Sequence, residues 1–232
     1  MFKKIIISAL FISLSTFYFS QENFTIKMSM KIEGLPTEYA AFGEQETVTY
    51  IKGEKSKIEI VSMMMNQTLT FDGQKQIILN ETIGNKTGCI LTKQEMEALE
   101  NKDKKDTKTT VEYLSDKKII ANYECTKAII TSLDKEKKET KMTVWFTEKI
   151  INDLSKKYKL KAKNIPNFAD LKGYPLEIEI NMEKNGTSIK IISKATEIKT
   201  EVLSDDVFKI NTEGYEMLNY KEYSEKLKML ER

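Results

Sequence analysis

The chain has 232 residues, with 37 basic and 35 acidic side chains and a formal net charge of +2. So small an excess argues against a nucleic-acid partner, which would need a clearly basic surface. The sequence has no histidine, the commonest general base and metal ligand, so we predict no catalytic residue, no cofactor and no metal site.

Residues 1–20 have the pattern of a secretory signal peptide. Lys3 and Lys4 precede an uncharged, mostly apolar stretch, and the small Ser20 offers a cleavage site, with a weaker alternative at 13–15. The apolar stretch is shorter than the roughly 20 residues of a membrane-spanning helix. We therefore predict a cleaved signal peptide at 1–20 and a single soluble domain at 21–232, exported to the periplasm or secreted. Removal of the two lysines leaves basic and acidic side chains in balance.

The first half of the mature chain shows strand patterns. Between Phe24 and Ile32, apolar and polar residues alternate with a period of two, which predicts a strand with one buried face. Residues 34–45 are predicted to form a loop. The glycine of Asp72-Gly73 favours a tight hairpin turn. Further strands are predicted at 47–52, 57–65, 68–71 and 76–80.

The second half adds helices to the strands. Thr92 and Glu95 form a capping-box pair that predicts a helix to about residue 101, and Asn219 with Glu222 can cap a last helix. Apolar residues at 150–158 recur at helical spacing. Strands are predicted at 109–114, 119–133, 141–146, 176–182 and 189–191. The sum is an α+β fold with about nine to eleven antiparallel strands and two or three helices.

Two cysteines, Cys89 and Cys125, are the only ones in the chain. In an oxidising compartment they are a candidate disulfide, which would contribute about 3–4 kcal/mol in the chain-entropy model. The alternative is a pair of unbonded buried thiols, which the small, apolar character of cysteine permits.

Methionines are concentrated in two of the predicted strands. Thioether side chains are flexible and polarisable, which suits a cavity for varied apolar ligands, although packing of the core is the simpler explanation. The candidate cavity residues are Met28, Met30, Met63, Met65, Trp145 and Phe146. The acidic pair Asp205-Asp206 is interpreted as the start of a turn and not as acid–base machinery.

Two segments resemble a known group of proteins. The first is KKIIANYECTKA at 117–128, followed by Val144-Trp145-Phe146-Thr147. The second is LKGYPL at 171–176, followed by ATEI at 195–198, DVFKI at 206–210 and EGY at 213–215. They are similar to the GLPGLI family and to related uncharacterised secreted bacterial domains, which usually carry glycine where this chain has Asn122.

The resemblance implies a fold like that of the periplasmic lipoprotein carriers LolA and LolB: a large curved antiparallel sheet, an open half-barrel, that holds an apolar cavity under helices. It supplies no catalytic residues. We therefore expect a non-enzymatic protein of a bacterial cell envelope that binds a lipid or other apolar ligand on the concave face. The alternative is a structural or protein-interaction module of the envelope with a filled core and no small ligand.

Overall fold

The computed structural model describes residues 23–36, 43–103, 108–133, 139–150, 168, 171–184 and 187–230. The predicted signal peptide at 1–20 and most of the predicted helical segment at 150–158 lie outside these ranges. They remain predictions.

Twelve strands form one sheet. In chain order they are β1 (Phe24–Glu33), β2 (Glu44–Lys52), β3 (Lys55–Ser62), β4 (Met65–Phe71), β5 (Lys75–Thr82), β6 (Asn85–Thr92), β7 (Lys108–Ile120), β8 (Tyr123–Leu133), β9 (Glu139–Thr147), β10 (Tyr174–Lys184), β11 (Thr187–Thr200) and β12 (Glu216–Leu218). The described chain also holds α1 (Lys93–Asp103), α2 (Tyr220–Leu230) and a 3-10 turn at Asp205–Phe208.

The sheet is open and almost entirely antiparallel. Its strand order is β12-β6-β5-β4-β3-β2-β1-β11-β10-β9-β8-β7, so the pairing of β1 with β11 joins an N-terminal half to a C-terminal half. The short edge strand β12 pairs in parallel with β6. This arrangement confirms the predicted antiparallel sheet with few helices, with more strand than expected. None of the helices in the described ranges combines the length and apolar character needed to cross a membrane.

Two predicted strand boundaries are wrong, and the structure adds strands that were not predicted. The predicted strand at 119–133 is a hairpin, because Ala121 and Asn122 adopt φ values of 46° and 68° and turn the chain between β7 and β8. The predicted strand at 57–65 ends at Ser62, and Met63-Met64 form the turn into β4. Strand β6 was not predicted at all.

Both predicted capping boxes are present. The Glu95 carboxylate accepts hydrogen bonds from the Thr92 backbone N–H (2.8 Å) and hydroxyl (2.7 Å), and the Glu95 N–H donates to the Thr92 Oγ1. Asn219 and Glu222 make the same reciprocal pair at the start of α2, at 3.0 and 3.3 Å. These bonds satisfy backbone donors that the first helical turn leaves free.

Strand register divides the sheet into two chemically different faces. Directly paired residues of neighbouring strands point to the same face of a sheet. The pairs Met28–Thr47, Thr47–Ile60 and Ile60–Gln67 therefore show which residues of β1 to β4 share one face. We call this the apolar face. Its members in the C-terminal half include Ala128, Ile130, Met142, Val144, Phe146 and Ile180, which are all buried in one cluster.

The opposite, charged face is covered by ion pairs between neighbouring strands. Lys27 and Glu197 are paired at 2.6 Å, and Lys190 and Glu179 at 2.8 Å. Much of the charged face therefore resembles a solvated surface, whereas most of the core lies on the apolar face.

Candidate ligand-binding face

The centre of the apolar face carries half-buried aliphatic and thioether side chains beside the buried Phe24, Ile26 and Ala195 of the same strands. Strands β1, β3 and β11 supply them, because their alternate residues share one face. We call this set the central stretch: Met28, Met30, Ile32, Ile58, Ile60, Ile189 and Ile191. All seven side chains are partly exposed to solvent, whereas the clusters beside them are buried.

One end of the apolar face is closed by the segment that enters β10. Phe168 and Leu171 pack on the cluster that contains Phe146 and Ile180. Tyr113 adds an edge-to-face contact with Phe146, with ring centroids 5.6 Å apart. This end is therefore a packed core.

The other end of the apolar face is closed by α2. Tyr223 is buried there, and its hydroxyl oxygen accepts a hydrogen bond from the Asn80 side-chain amide at 2.6 Å. The Asn80 Oδ1 accepts in turn from the Gln67 amide, also at 2.6 Å. Burial raises the pKa of the Tyr223 hydroxyl, which stays protonated at all physiological pH values. The helix is thus fastened to β4 and β5 by a buried polar chain.

The sheet curves toward its apolar face. The partly buried Tyr174 of β10 lies close enough to Thr49 of β2 for their side chains to interact, although β1 and β11 lie between these strands. In a flat sheet three strand spacings would separate the two backbones by about 14 Å, beyond the reach of these side chains. The apolar face is therefore concave here, and burial raises the pKa of Tyr174.

The structure separates the six candidate cavity residues. Met28, Met30 and Met65 lie half-buried on the apolar face, as the alternation predicts. Phe146 is on the same face but only 2% exposed, so it is a core residue. Met63 is 62% exposed in the β3–β4 turn, because β3 ends before it.

Trp145 lies on the opposite face of the sheet from its neighbour Phe146. Successive residues of a strand alternate between faces, so Trp145 lies on the charged face, where the Lys118 and Lys127 ammonium groups sit 4.2 and 5.7 Å from its ring centroid. The assignment of Trp145 to the concave face was wrong. Neighbouring Glu177 is nearly buried and pairs with Lys118 and with Lys194, which compensates its charge.

Asp205 holds the 3-10 turn against the sheet. Its Oδ1 lies 3.1 Å from the ammonium groups of both Lys52 and Lys55, and these hydrogen bonds lower the pKa of the Asp205 carboxyl. The predicted turn at Asp205-Asp206 is therefore confirmed as a structural feature. Within the described ranges, no group of three or more acidic or cysteine side chains forms a candidate metal site.

The two cysteines are free, buried thiols in this structure, and the predicted disulfide is not formed. Cys89 lies on β6 and Cys125 on β8, with eight strands between them in the sheet order. Their surroundings also differ: Cys89 lies near Tyr223 and Glu95, and Cys125 near Lys118 and Glu177. The number of residues between two cysteines in the sequence does not determine how far apart they lie in the fold.

We expect neither thiol to react with iodoacetamide in the native protein. Burial raises the pKa of Cys89 to about 12 and that of Cys125 to about 11, so almost no thiolate exists at neutral pH. In denaturant without reductant, intact mass spectrometry should show two carbamidomethyl groups. A denatured, unreduced protein that takes up none would instead demonstrate the bridge.

Comparison with known proteins gives only distant structural matches. No family model and no curated protein matches the chain. Solved structures that are similar include PNGF-II (16% identity, TM-score 0.47), which covers 88% of this chain, while the chain spans only 33% of PNGF-II. An uncharacterized conserved protein from Thermus thermophilus is 9% identical with a TM-score of 0.45, covering 86% of this chain and 91% of its own.

A third similar structure is the Mycobacterium tuberculosis lipoprotein LppX. It is 10% identical with a TM-score of 0.35, and the match covers 78% of this chain and 88% of LppX. Membership of the GLPGLI family remains a prediction, because no family model supports it.

Proposed function

We propose that this chain is an exported, non-enzymatic protein of a bacterial cell envelope that holds a lipid or another apolar ligand against the concave, apolar face of a LolA-like open half-barrel. The observation that supports the proposal is the half-buried central stretch, which lies between two closed ends of the same face. A face that served only as core would be closed along its whole length.

The chemistry of the central stretch suits an acyl chain. Its members are aliphatic or thioether side chains, and Met28 and Met30 can adjust their rotamers to ligands of different shape. Each methylene group that a ligand buries there contributes about 0.8 kcal/mol. A chain of several methylenes would therefore bind without any charged contact.

Polar side chains flank Met30 on the same face. Gln45 pairs with Met30 across β1 and β2, and its amide donates a 3.4 Å hydrogen bond to the Thr47 hydroxyl. Ser193 pairs with Met30 from the other side. An amphiphile with an uncharged or hydroxylated head near Gln45 and its tail along the central stretch would match this distribution.

Two measurements test the proposal. Native mass spectrometry of gently purified protein should show a mass above that of the polypeptide, and extraction should release an apolar compound. The purified protein should also take up a fluorescent fatty acid. A clean polypeptide mass together with no uptake would overturn the proposal and favour an interaction module with a filled interior.

A variant with Met28→Gln and Met30→Gln should take up the fluorescent fatty acid about tenfold less tightly, because each substitution places a polar amide where the tail would lie. Val202→Gln is the matched control, since Val202 is 94% exposed and lies outside the sheet. Equal affinities of the double variant and the control would exclude the central stretch as the binding surface.

A further inference from the structure

Two neighbouring hairpin turns, at the same end of their strands, expose large apolar side chains. Met63 and Met64 form the β3–β4 turn and are 62% and 55% exposed, and Ile83 in the β5–β6 turn is 91% exposed. We call these three residues the tip patch. Met65 pairs directly with Thr82, and these residues adjoin Met64 and Ile83, so the two turns lie side by side.

Both turns satisfy part of their own backbone hydrogen bonding. The Ser62 hydroxyl donates to the Met65 carbonyl at 3.0 Å and accepts from the Met65 N–H at 3.1 Å. The Thr82 hydroxyl donates to the Asn85 carbonyl at 3.5 Å. Backbone groups held in this way cost less to bring into a medium poor in water.

The chain around the tip patch is unusually free of charge. Residues 60–71 contain no charged side chain, although charged residues make up 31% of the chain. Residues 82–85 are also uncharged, and the flanking Glu81 and Lys86 neutralise one another at 2.8 Å. The turns can therefore leave bulk water without stripping a charge of its hydration.

The tip patch is continuous with the apolar face. Met65 follows Met64 directly and lies on that face, beside the pair formed by Ile60 and Gln67. A molecule that left the central stretch along β3 or β4 would reach the tip patch before it reached bulk water.

The composition of the tip patch distinguishes between possible partners. Protein interfaces are dominated energetically by tryptophan, tyrosine and arginine, and none of these occurs at 60–71 or 82–85. Exposed aliphatic and thioether side chains without charges match the acyl boundary of a lipid bilayer instead.

We propose that the tip patch docks the protein on a lipid bilayer, with Met63, Met64 and Ile83 inserted at the boundary between headgroups and acyl chains. The central stretch then opens next to the membrane surface. This extends the proposed function by naming the membrane as the place where an apolar ligand is exchanged, but docking itself does not require a bound ligand.

The test is co-sedimentation of the protein with vesicles of phosphatidylcholine. The native chain should bind, and the triple variant Met63→Ser, Met64→Ser, Ile83→Ser should bind at least about tenfold less, since three large apolar side chains no longer leave water. Binding should be insensitive to salt and to added phosphatidylglycerol, because the tips carry no charge.

The matched control is Ile119→Ser with Val202→Ser. These residues are 67% and 94% exposed, and Ile119 adjoins the β7–β8 turn, which lies at the opposite end of the strands from the tip patch. The control should bind vesicles as the native chain does, and circular dichroism should show both variants folded.

Four outcomes would overturn the docking proposal: no vesicle binding by the native chain, undiminished binding by the triple variant, an equal loss in the control, or binding that needs phosphatidylglycerol and disappears in salt. A native dimer that the triple variant converts to a monomer would assign the patch to a second copy of the chain. Fatty-acid uptake from solution tests the ligand face separately, and the triple variant should retain it.

Discussion

Phe146→Ala is expected to lower the free energy of unfolding by about 3–5 kcal/mol. The Phe146 side chain is 2% exposed and belongs to the cluster with Met142, Val144 and Ile180. The substitution removes the ring and its edge-to-face contact with Tyr113, and it leaves a cavity that the sheet backbone cannot close. Urea unfolding followed by circular dichroism should show a lower midpoint with an unchanged slope.

Substitutions of Trp145 and Ile119 provide comparisons for the loss of stability expected from Phe146→Ala. Trp145→Ala should cost less, because Trp145 is half-buried and packs only against the outside of a core cluster, where water can reach part of the vacated space. Ile119→Ala should change the free energy of unfolding by less than about 0.5 kcal/mol, since Ile119 is largely exposed. A smaller loss for Phe146→Ala than for Trp145→Ala would contradict the assignment of the two faces.

The sequence predicted those elements that depend on short-range patterns. The alternation from Phe24 to Ile32 predicted β1, and Asp72-Gly73 predicted the β4–β5 hairpin, where Gly73 has a φ of 97°. The capping boxes were also predictable, because donor and acceptor lie three residues apart in the chain. In each case the residues that make the structure are neighbours in the sequence.

Strand β6 shows where local patterns are insufficient. Gly88 stands in its interior, and glycine in a strand usually weakens the pattern. Residues of neighbouring strands explain why position 88 is a glycine. A Cβ atom at this position would be 2.6 Å from the Leu79 Cδ2 and 2.8 Å from the Met217 Sδ. The glycine permits β5 and β12 to pack closely against β6, which only the tertiary structure reveals.

The turn between β7 and β8 was missed for a different reason. Left-handed turn positions are usually marked by glycine, but this chain has Ala121 and Asn122 there. Asparagine tolerates positive φ, so Asn122 can replace the glycine that the resembling families carry at this position. The sequence thus marks position 122, but it gives no sign that Ala121 beside it also adopts a positive φ.

The candidate site depended on information that the sequence does not contain. Alternation placed Met28 and Met30 on one face, but it could not show which parts of that face Leu171 and Tyr223 would close. Both closing residues come from distant segments. The half-buried state of the central stretch is therefore a property of the assembled sheet and not of any strand.

Gly173→Ala should destabilise the protein by about 3 kcal/mol or more. A Cβ atom at this position would lie 2.2 Å from the Thr147 carbonyl oxygen and 3.0 Å from the Glu148 nitrogen, both of which are backbone atoms. Neither can rotate away, so β9 and the start of β10 must move apart. The measurement is again the urea midpoint of the variant against the native chain.

Gly84→Ala provides the control for Gly173→Ala. A Cβ atom at Gly84 meets nothing within 4 Å, so only its φ of 76° opposes the substitution, at about 1 kcal/mol. The separation at Gly173 also displaces Tyr174, whose approach to Thr49 accompanies the concave curvature. Gly173→Ala should therefore weaken fatty-acid uptake as well as stability, whereas Gly84→Ala should leave uptake unchanged. If both variants were equally stable, the close approach of β9 and β10 would not be a source of the curvature.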